Sequence, residues 1–303
     1  MNIWFWRSVV LTHLTAALLW CGFWGAGRPW LAAAGVAVLA CGAGAQLGLQ
    51  MLLMRHVLRS RQLPMPSAVV VLRAWLAEWR LSLQIFGWRI PFRSQAEPDF
   101  WPANAQGQVG MVLVHGYFCS RAVWNPWLRN LRTRDIACAA MTLEPAHGYP
   151  VDAMVADLHR CVQQMVRQTG RAPLLVAHSM GGLVVRAWLK TLTASQRSQY
   201  AAHVVTVATP HGGTWLARFA HRLPARDMRE AGEWLQALGP LPADVSMSCW
   251  CSSSDNIVFP PTLAMMEGAQ QHQVEDAAHM QLLFDERVWM HCLRLRQRLQ
   301  QRP

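Results

Sequence analysis

The chain has 303 residues, 52% of them apolar and 15% charged, and 28 Lys and Arg against 17 Asp and Glu give a net charge of +11. That apolar fraction excludes a disordered chain, which is poor in apolar residues and rich in net charge. A basic balance suits nucleic acid or an anionic membrane surface, but Lys190 is the one lysine among the positive residues, and no zinc-finger spacing, RNP-type motif or basic heptad accompanies them. No nucleic-acid partner is expected.

The apolar excess gathers at the start. From Ser8 to Gly27 the one strongly polar side chain is His13, and from Trp30 to Met54 there is no charge at all. A helix needs about 20 apolar residues to cross a bilayer, and both runs meet that length. Their glycines (Gly35, Gly42, Gly44, Gly48) are tolerated better in membrane helices than in soluble ones. A signal peptide has a shorter apolar core and a small-residue cleavage site. Two long runs in succession instead predict a transmembrane helical hairpin over 1–54. Arg7 precedes the hairpin, Arg55, His56, Arg59 and Arg61 follow it, and only Arg28 lies in the tight connection. The positive-inside rule then places both ends in the cytoplasm, as a two-pass protein of a bacterial-type inner (cytoplasmic) membrane. The cysteines lack the spacing of a disulfide scaffold and fit a reducing compartment. Cys249-x-Cys251 is expected to be core, because metal-binding thiols are spaced by two or more residues.

Residues 55–104 form a linker, opened by Pro64 and Pro66 and closed by Pro98 and Pro102. Within it Leu72, Trp75, Leu76, Trp79, Leu83 and Phe86 recur at helical spacing. Such an amphipathic helix lies either in the membrane interface, where Trp and Arg are favoured, or against the following domain.

From 105 to 303 strands and helices alternate. Short apolar runs at 109–114, 136–143, 172–177, 203–208 and 245–251 predict strands. Helical spacing occurs at 151–168, 181–192 and 288–299. Alternation of this kind predicts an α/β fold, a mostly parallel sheet with helices on both faces. Continuous apolar strands fit a sheet buried on both sides. The segment 215–241 is an insertion in which Phe219, Leu223, Trp234, Leu235 and Leu238 alternate with arginines, read either as a lid or as surface helices.

The reactive residues sit at strand ends. In Leu174-Leu175-Val176-Ala177-His178-Ser179-Met180-Gly181-Gly182 an apolar strand meets a helix at a serine. A strained turn there pushes the hydroxyl into the open, and small residues two positions away let backbones pass closely. Ala177 takes the place of the usual glycine. His115-Gly116-Tyr117-Phe118 follows another strand, and a glycine there lets a backbone N–H point at a developing oxyanion. The N–H of Met180 would be the second donor. His115 itself is read as structural.

These motifs, with Ala208-Thr209-Pro210-His211-Gly212-Gly213-Thr214 after the next strand, resemble the α/β-hydrolase superfamily of the lipase/esterase type. Bacterial triacylglycerol lipases and the family of GPI-inositol deacylases are similar. The resemblance covers residues from about Val109 onward. It implies an α/β-hydrolase fold and a triad in the chain order Ser, Asp, His. Ser179 is then the nucleophile. Asp255, after the strand ending near Cys251, is preferred to Asp244 and Glu267 as the acid. His279, on a loop before the last helix, is preferred to His272 and His291 as the base. The amides of Tyr117 and Met180 form the oxyanion hole, Phe118 and His178 contact substrate, and His211 gives structural support. Neither a metal nor another cofactor is implied. The implied activity is a membrane-anchored serine hydrolase cleaving carboxylic esters of lipid-like substrates. The alternatives are an acyltransferase using the same triad and a catalytically silent membrane interaction protein.

Overall fold

The structure, a computed structural model, describes residues 2–144 and 147–302. Two long helices come first, α1 (Asn2–Trp24) and α2 (Pro29–Ser60). Both are long and apolar enough to cross a bilayer. At 1.5 Å per residue they extend about 34 and about 48 Å, against about 30 Å of hydrocarbon. They form a hairpin. At its far end the Trp20 indole donates to the Leu31 carbonyl at 2.8 Å. Leu18, Leu19, Phe23 and Val38 project outward, each 70% exposed or more.

The near end of the hairpin is packed into the rest of the protein. Met51, Met54, Val57 and Leu58 of α2 form a small core with Val71 and Ala74 of α3 (Ala68–Gln84) and with Phe259 and Ala278. Ser67 caps α3 by accepting the Val70 N–H at 3.3 Å. The linker helix therefore exists, but its apolar residues divide between surfaces. Val71, Ala74 and Glu78 are buried. Trp75 and Trp79 stack with ring centroids 5.6 Å apart and lie on α2. The Trp75 indole donates to the Gly44 carbonyl at 2.8 Å, and a Cβ at Gly44 would meet the Trp79 ring at 2.9 Å. Leu72, Leu76 and Leu83 stay exposed. The helix is packed on the domain and still presents a leucine row outward. A π turn (Ile85–Arg89) and the short α4 (Ile90–Phe92) end the linker helices.

The remainder is a parallel α/β domain. Its strands are β1 (Met111–Val114), β2 (Cys138–Ala140), β3 (Leu174–His178), β4 (His203–Val207), β5 (Met247–Ser252) and β6 (Gln270–Val274). They lie in the order β2-β1-β3-β4-β5-β6, and every pairing is parallel. Parallel neighbours need long crossovers. Those crossovers carry α5 (Asn125–Arg132), α6 (Val155–Thr169), α7 (Met180–Thr191), α8 (Ala194–Tyr200) and α9 (Glu233–Leu238), with α10 (His279–Leu283) and α11 (Glu286–Gln300) after β6.

Alternate strand residues point to opposite faces, and each face has its own core. Leu113, Val176 and Val205 meet Trp124, Leu128, Val288 and Leu295 on one side. Val112, Leu175 and Val204 meet Leu158, Val162, Leu183 and Trp188 on the other. This second core also takes Met228, Leu235 and Leu238 of the 215–241 segment, whereas Phe219 is exposed. All eight cysteines are free, and Cys249 and Cys251 are buried in β5. Burial pushes the Cys251 thiol up to about 12, so it stays protonated.

Leu113 is fully buried at the centre of β1. Leu113→Ala should cost about 2–5 kcal/mol, the transfer and cavity terms together. The check is the loss of thermal stability in detergent micelles at fixed pH, with far-UV circular dichroism unchanged at low temperature.

Candidate active site

Ser179 joins β3 to α7 with φ 55° and ψ −131°. A non-glycine residue held at positive φ is strained, and neighbours fix this one on several sides. Its N–H donates to the Val207 carbonyl at 2.8 Å, and its carbonyl accepts the Thr209 hydroxyl at 2.9 Å. The loop after β1 passes so close that a Cβ at Gly116 would lie 2.7 Å from Ser179 Cβ and 3.3 Å from Oγ. A Cβ at Gly181 would lie 2.5 Å from the His115 carbonyl oxygen and 2.7 Å from that of Val114. Ala177 is fully buried in β3, paired with Val114 and Thr206. Its methyl is accommodated there.

The sequence-selected acid and imidazole meet beside this turn. Asp255, 1% exposed, lies just past β5. Its Oδ1 accepts the N–H groups of Ile257 and Val258 at 2.8 and 2.9 Å. His279 opens α10, and its Nδ1 stands 3.1 Å from each Asp255 oxygen. Nδ1–H donating to the carboxylate leaves Nε2 as an acceptor. The imidazole ring centroid is 4.7 Å from that of His178, the residue before Ser179, and His178 Nε2–H donates to the His279 carbonyl at 3.2 Å. The rivals lie elsewhere. His272 on β6 and His291 on α11 pack against Trp250, with centroids 4.5 and 5.5 Å away.

Burial sorts the imidazoles. Desolvation lowers His115 to about 4 and holds His178 and His211 well below the ordinary histidine value, so all three are neutral at pH 7. His279 differs. Burial pulls it down, but the charge and hydrogen bond of Asp255, with the charge of Glu78, outweigh this and raise it above 6.5. His115 Nε2 accepts the Leu143 N–H at 2.9 Å, and His211 Nε2 lies 3.0 Å from the Thr206 hydroxyl. His115 thus ties the loops after β1 and β2 together, and His211 ties the loop after β4 to that strand.

The other selected residues flank Ser179. Met180 is the first residue of α7, where the backbone N–H has no intrahelical partner. Tyr117 and Phe118 follow Gly116, their rings 4.2 Å apart, and the Tyr117 hydroxyl reaches His147 Nδ1 at 3.0 Å. Phe118 stands at φ 56°. It is partly exposed, whereas His178 is 1% exposed.

Four further residues support this site, all from the first hundred. Trp6 Nε1–H donates to the Phe118 carbonyl at 2.8 Å, and Asn2 Nδ2–H to the Cys119 carbonyl at 2.8 Å. Gln50 Oε1 accepts the Asn256 amide at 2.7 Å, and Asn256 Oδ1 in turn accepts the His279 N–H at 3.2 Å. Glu78 accepts the N–H groups of Met280 and Gln281 at 2.9–3.0 Å. None of these four belongs to a sequence motif. The one available signal is at Glu78, the single acidic residue of α3.

Such an arrangement, a strained serine at a strand–helix turn with an Asp–His pair at neighbouring strand ends, defines a class of enzymes built on the parallel α/β sheet. The chain belongs to the alpha/beta hydrolase family, whose sequence pattern matches residues 111–291. Its fold is similar to the mature Bacillus licheniformis lipase BlEst2, with TM-score 0.55 and 16% identity over 66% of this chain and 95% of that one. It is also similar to Aspergillus fumigatus lipase B, with TM-score 0.51 and 15% identity over 58% of this chain and 47% of the other. Among curated proteins, the Arabidopsis thaliana lecithin-cholesterol acyltransferase-like 1 is 36% identical over 73 residues, 23% of this chain. The match spans only 17% of that relative's length.

Gly116→Ala places a methyl against Ser179 where the backbone leaves no room. It should slow labelling of Ser179 by a fluorophosphonate at least about tenfold, a small displacement being enough for such a loss. Labelling rates of the two folded proteins, compared by in-gel fluorescence, test this.

Proposed function

We propose that the protein is a membrane-anchored serine hydrolase that cleaves carboxylic esters of lipid-like substrates. The observation that carries the reading is the Ser179 turn at positive φ beside the hydrogen-bonded Asp255–His279 pair. Ser179 Oγ attacks the acyl carbonyl while His279 Nε2 takes its proton. Asp255 orients His279 and stabilises the imidazolium. The Tyr117 and Met180 amides stabilise the oxyanion. His279 then passes the proton to the leaving alcohol, and water activated by the same imidazole releases the acid. Phe118 bounds the substrate site, His178 backs the imidazole from its buried position, and 215–241 acts as the lid.

The relative bearing an acyltransferase name favours one alternative, transfer of the acyl group from Ser179 to an alcohol in place of water. Adding a medium-chain alcohol to the assay and analysing products for the new ester separates the two fates.

Ser179→Ala should abolish cleavage of p-nitrophenyl esters and fluorophosphonate labelling in a folded protein. Losses from His279→Ala and Asp255→Asn should be large and should not add in the double variant, because triad members act as a unit. Persistent labelling in Ser179→Ala, or a harmless His279→Ala, would remove the assignment.

In this reading residues 1–54 are a transmembrane hairpin, 55–104 a linker packed on the catalytic domain, and 105–303 the catalytic domain. Backbone groups in lipid must be satisfied internally, which two helices do. The basic residues at the near end favour the cytoplasmic side of the inner membrane for that domain. The protein should resist high-salt and carbonate extraction, and a fluorescent reporter fused after Pro303 should be bright. Alkaline phosphatase activity from the same fusion site would reverse the orientation.

A further inference from the structure

Glu78 belongs to α3, outside the catalytic domain, yet it is only 2% exposed and its carboxylate meets the turn that carries His279. Oε1 accepts the Met280 N–H at 2.9 Å, and Oε2 accepts those of Met280 and Gln281, each at 3.0 Å. These are opening donors of α10, which lack partners within the helix. Asn256 holds the His279 N–H of the same turn. An apolar residue in the place of Glu78 would avoid the cost of burying a charge. That cost is visible: desolvation raises Glu78 to about 7, against the pull of the Met280 and Gln281 N–H groups and of His279.

Taking His279 as the base of the proposed hydrolase, we propose that Glu78 is a positioning residue for it. Glu78 fixes the turn that carries the imidazole and sets a second carboxylate beside it, so that α3 is tied to catalysis. The titratable groups facing His279 are Asp255 from the loop after β5, His178 from the end of β3, and Glu78 from α3. Cys119 of the loop after β1 faces Glu78. His178 is held neutral by burial, and burial pushes the Cys119 thiol up to about 12. The charges acting on His279 are therefore that of Asp255 and, when its carboxyl is ionised, that of Glu78.

The sign follows. An anion beside an imidazole favours the protonated ring, and removing the anion lets the ring lose its proton at lower pH. A general base works only when neutral. The acid limb of kcat/KM should therefore move to lower pH in Glu78→Gln. Loosening of the turn should lower kcat at pH 8 by roughly 10–100-fold, with KM little changed. Glu78→Asp keeps the charge and should keep the limb near its original position at reduced kcat.

The measurement is the pH profile of p-nitrophenyl butyrate cleavage by the full-length protein in detergent micelles, for all three forms. Superimposable limbs in the original and Glu78→Gln proteins would overturn the proposal. If Glu78→Gln does not fold, Glu78→Asp decides: a limb held in place with kcat lowered at least about tenfold supports the positioning role, and an unchanged kcat or a limb shifted downward opposes it. A second readout needs no turnover. Histidine imidazole titrations by NMR, in the Ser179→Ala background with and without Glu78→Gln, should show His279 titrating lower without the carboxylate. An original protein that neither cleaves esters nor takes the fluorophosphonate would defeat the hydrolase reading, while the NMR titration would still decide whether Glu78 acts on His279.

Discussion

Ser179 is held at φ 55° and ψ −131°, a conformation that costs of order 1–3 kcal/mol and persists only where the surroundings over-determine it. Here they do. Val207 and Thr209 of the β4 end hold its N–H and carbonyl. Gly116 and Gly181 let the β1 end approach the turn to within contact distance. The parallel sheet makes this possible, because it brings the carboxyl ends of all its strands to one edge, where the connecting loops meet. The loops after β1, β3, β5 and β6 supply Gly116, Ser179, Asp255 and His279 in that order along the chain. Four segments far apart in sequence thus converge on one backbone distortion.

What the sequence reveals depends on how local each signal is. Strands buried on both faces are continuous apolar runs, and 109–114, 172–177 and 203–208 lie within one or two residues of β1, β3 and β4. The Ser179 turn is equally local, since strand, serine, small residues and helix follow within nine positions. β2 is shorter than its apolar run: only Cys138–Ala140 pairs with β1, although Ile136 and Leu143 are buried beyond it. Helical spacing located α3 but did not assign its faces. Leu72, Leu76 and Leu83 face outward, while Val71, Ala74 and Glu78 face inward. The reason is tertiary. Glu78 is buried because its acceptors match two N–H groups about 200 positions away, and no periodicity records such a match.

The same non-local bonds change what the first hundred residues are. A tether needs only length and apolar surface. This segment instead places four polar side chains, Asn2, Trp6, Gln50 and Glu78, on the loops that carry the candidate oxyanion donors, Asp255 and His279. A buried polar group adds stability only when its partner is present, and one left alone costs about 1–3 kcal/mol. Each of these bonds therefore constrains both sides. The hairpin end cannot swing away without leaving the Phe118 and Cys119 carbonyls and the Asn256 amide unpaired.

The glycines of α2 serve that constraint as well. Gly44 and Gly48 let Trp79 and Trp75 pack closely on the helix, and the Gly44 carbonyl takes the Trp75 indole N–H. This contact sets the roll of α3 about its own axis, and that roll aims Glu78 inward. It also turns Leu72, Leu76 and Leu83 outward. One rotation thus satisfies two demands opposed to ordinary burial, a charged residue inward and leucines outward. Contact with the hairpin and the geometry of the imidazole are therefore fixed by the same helix.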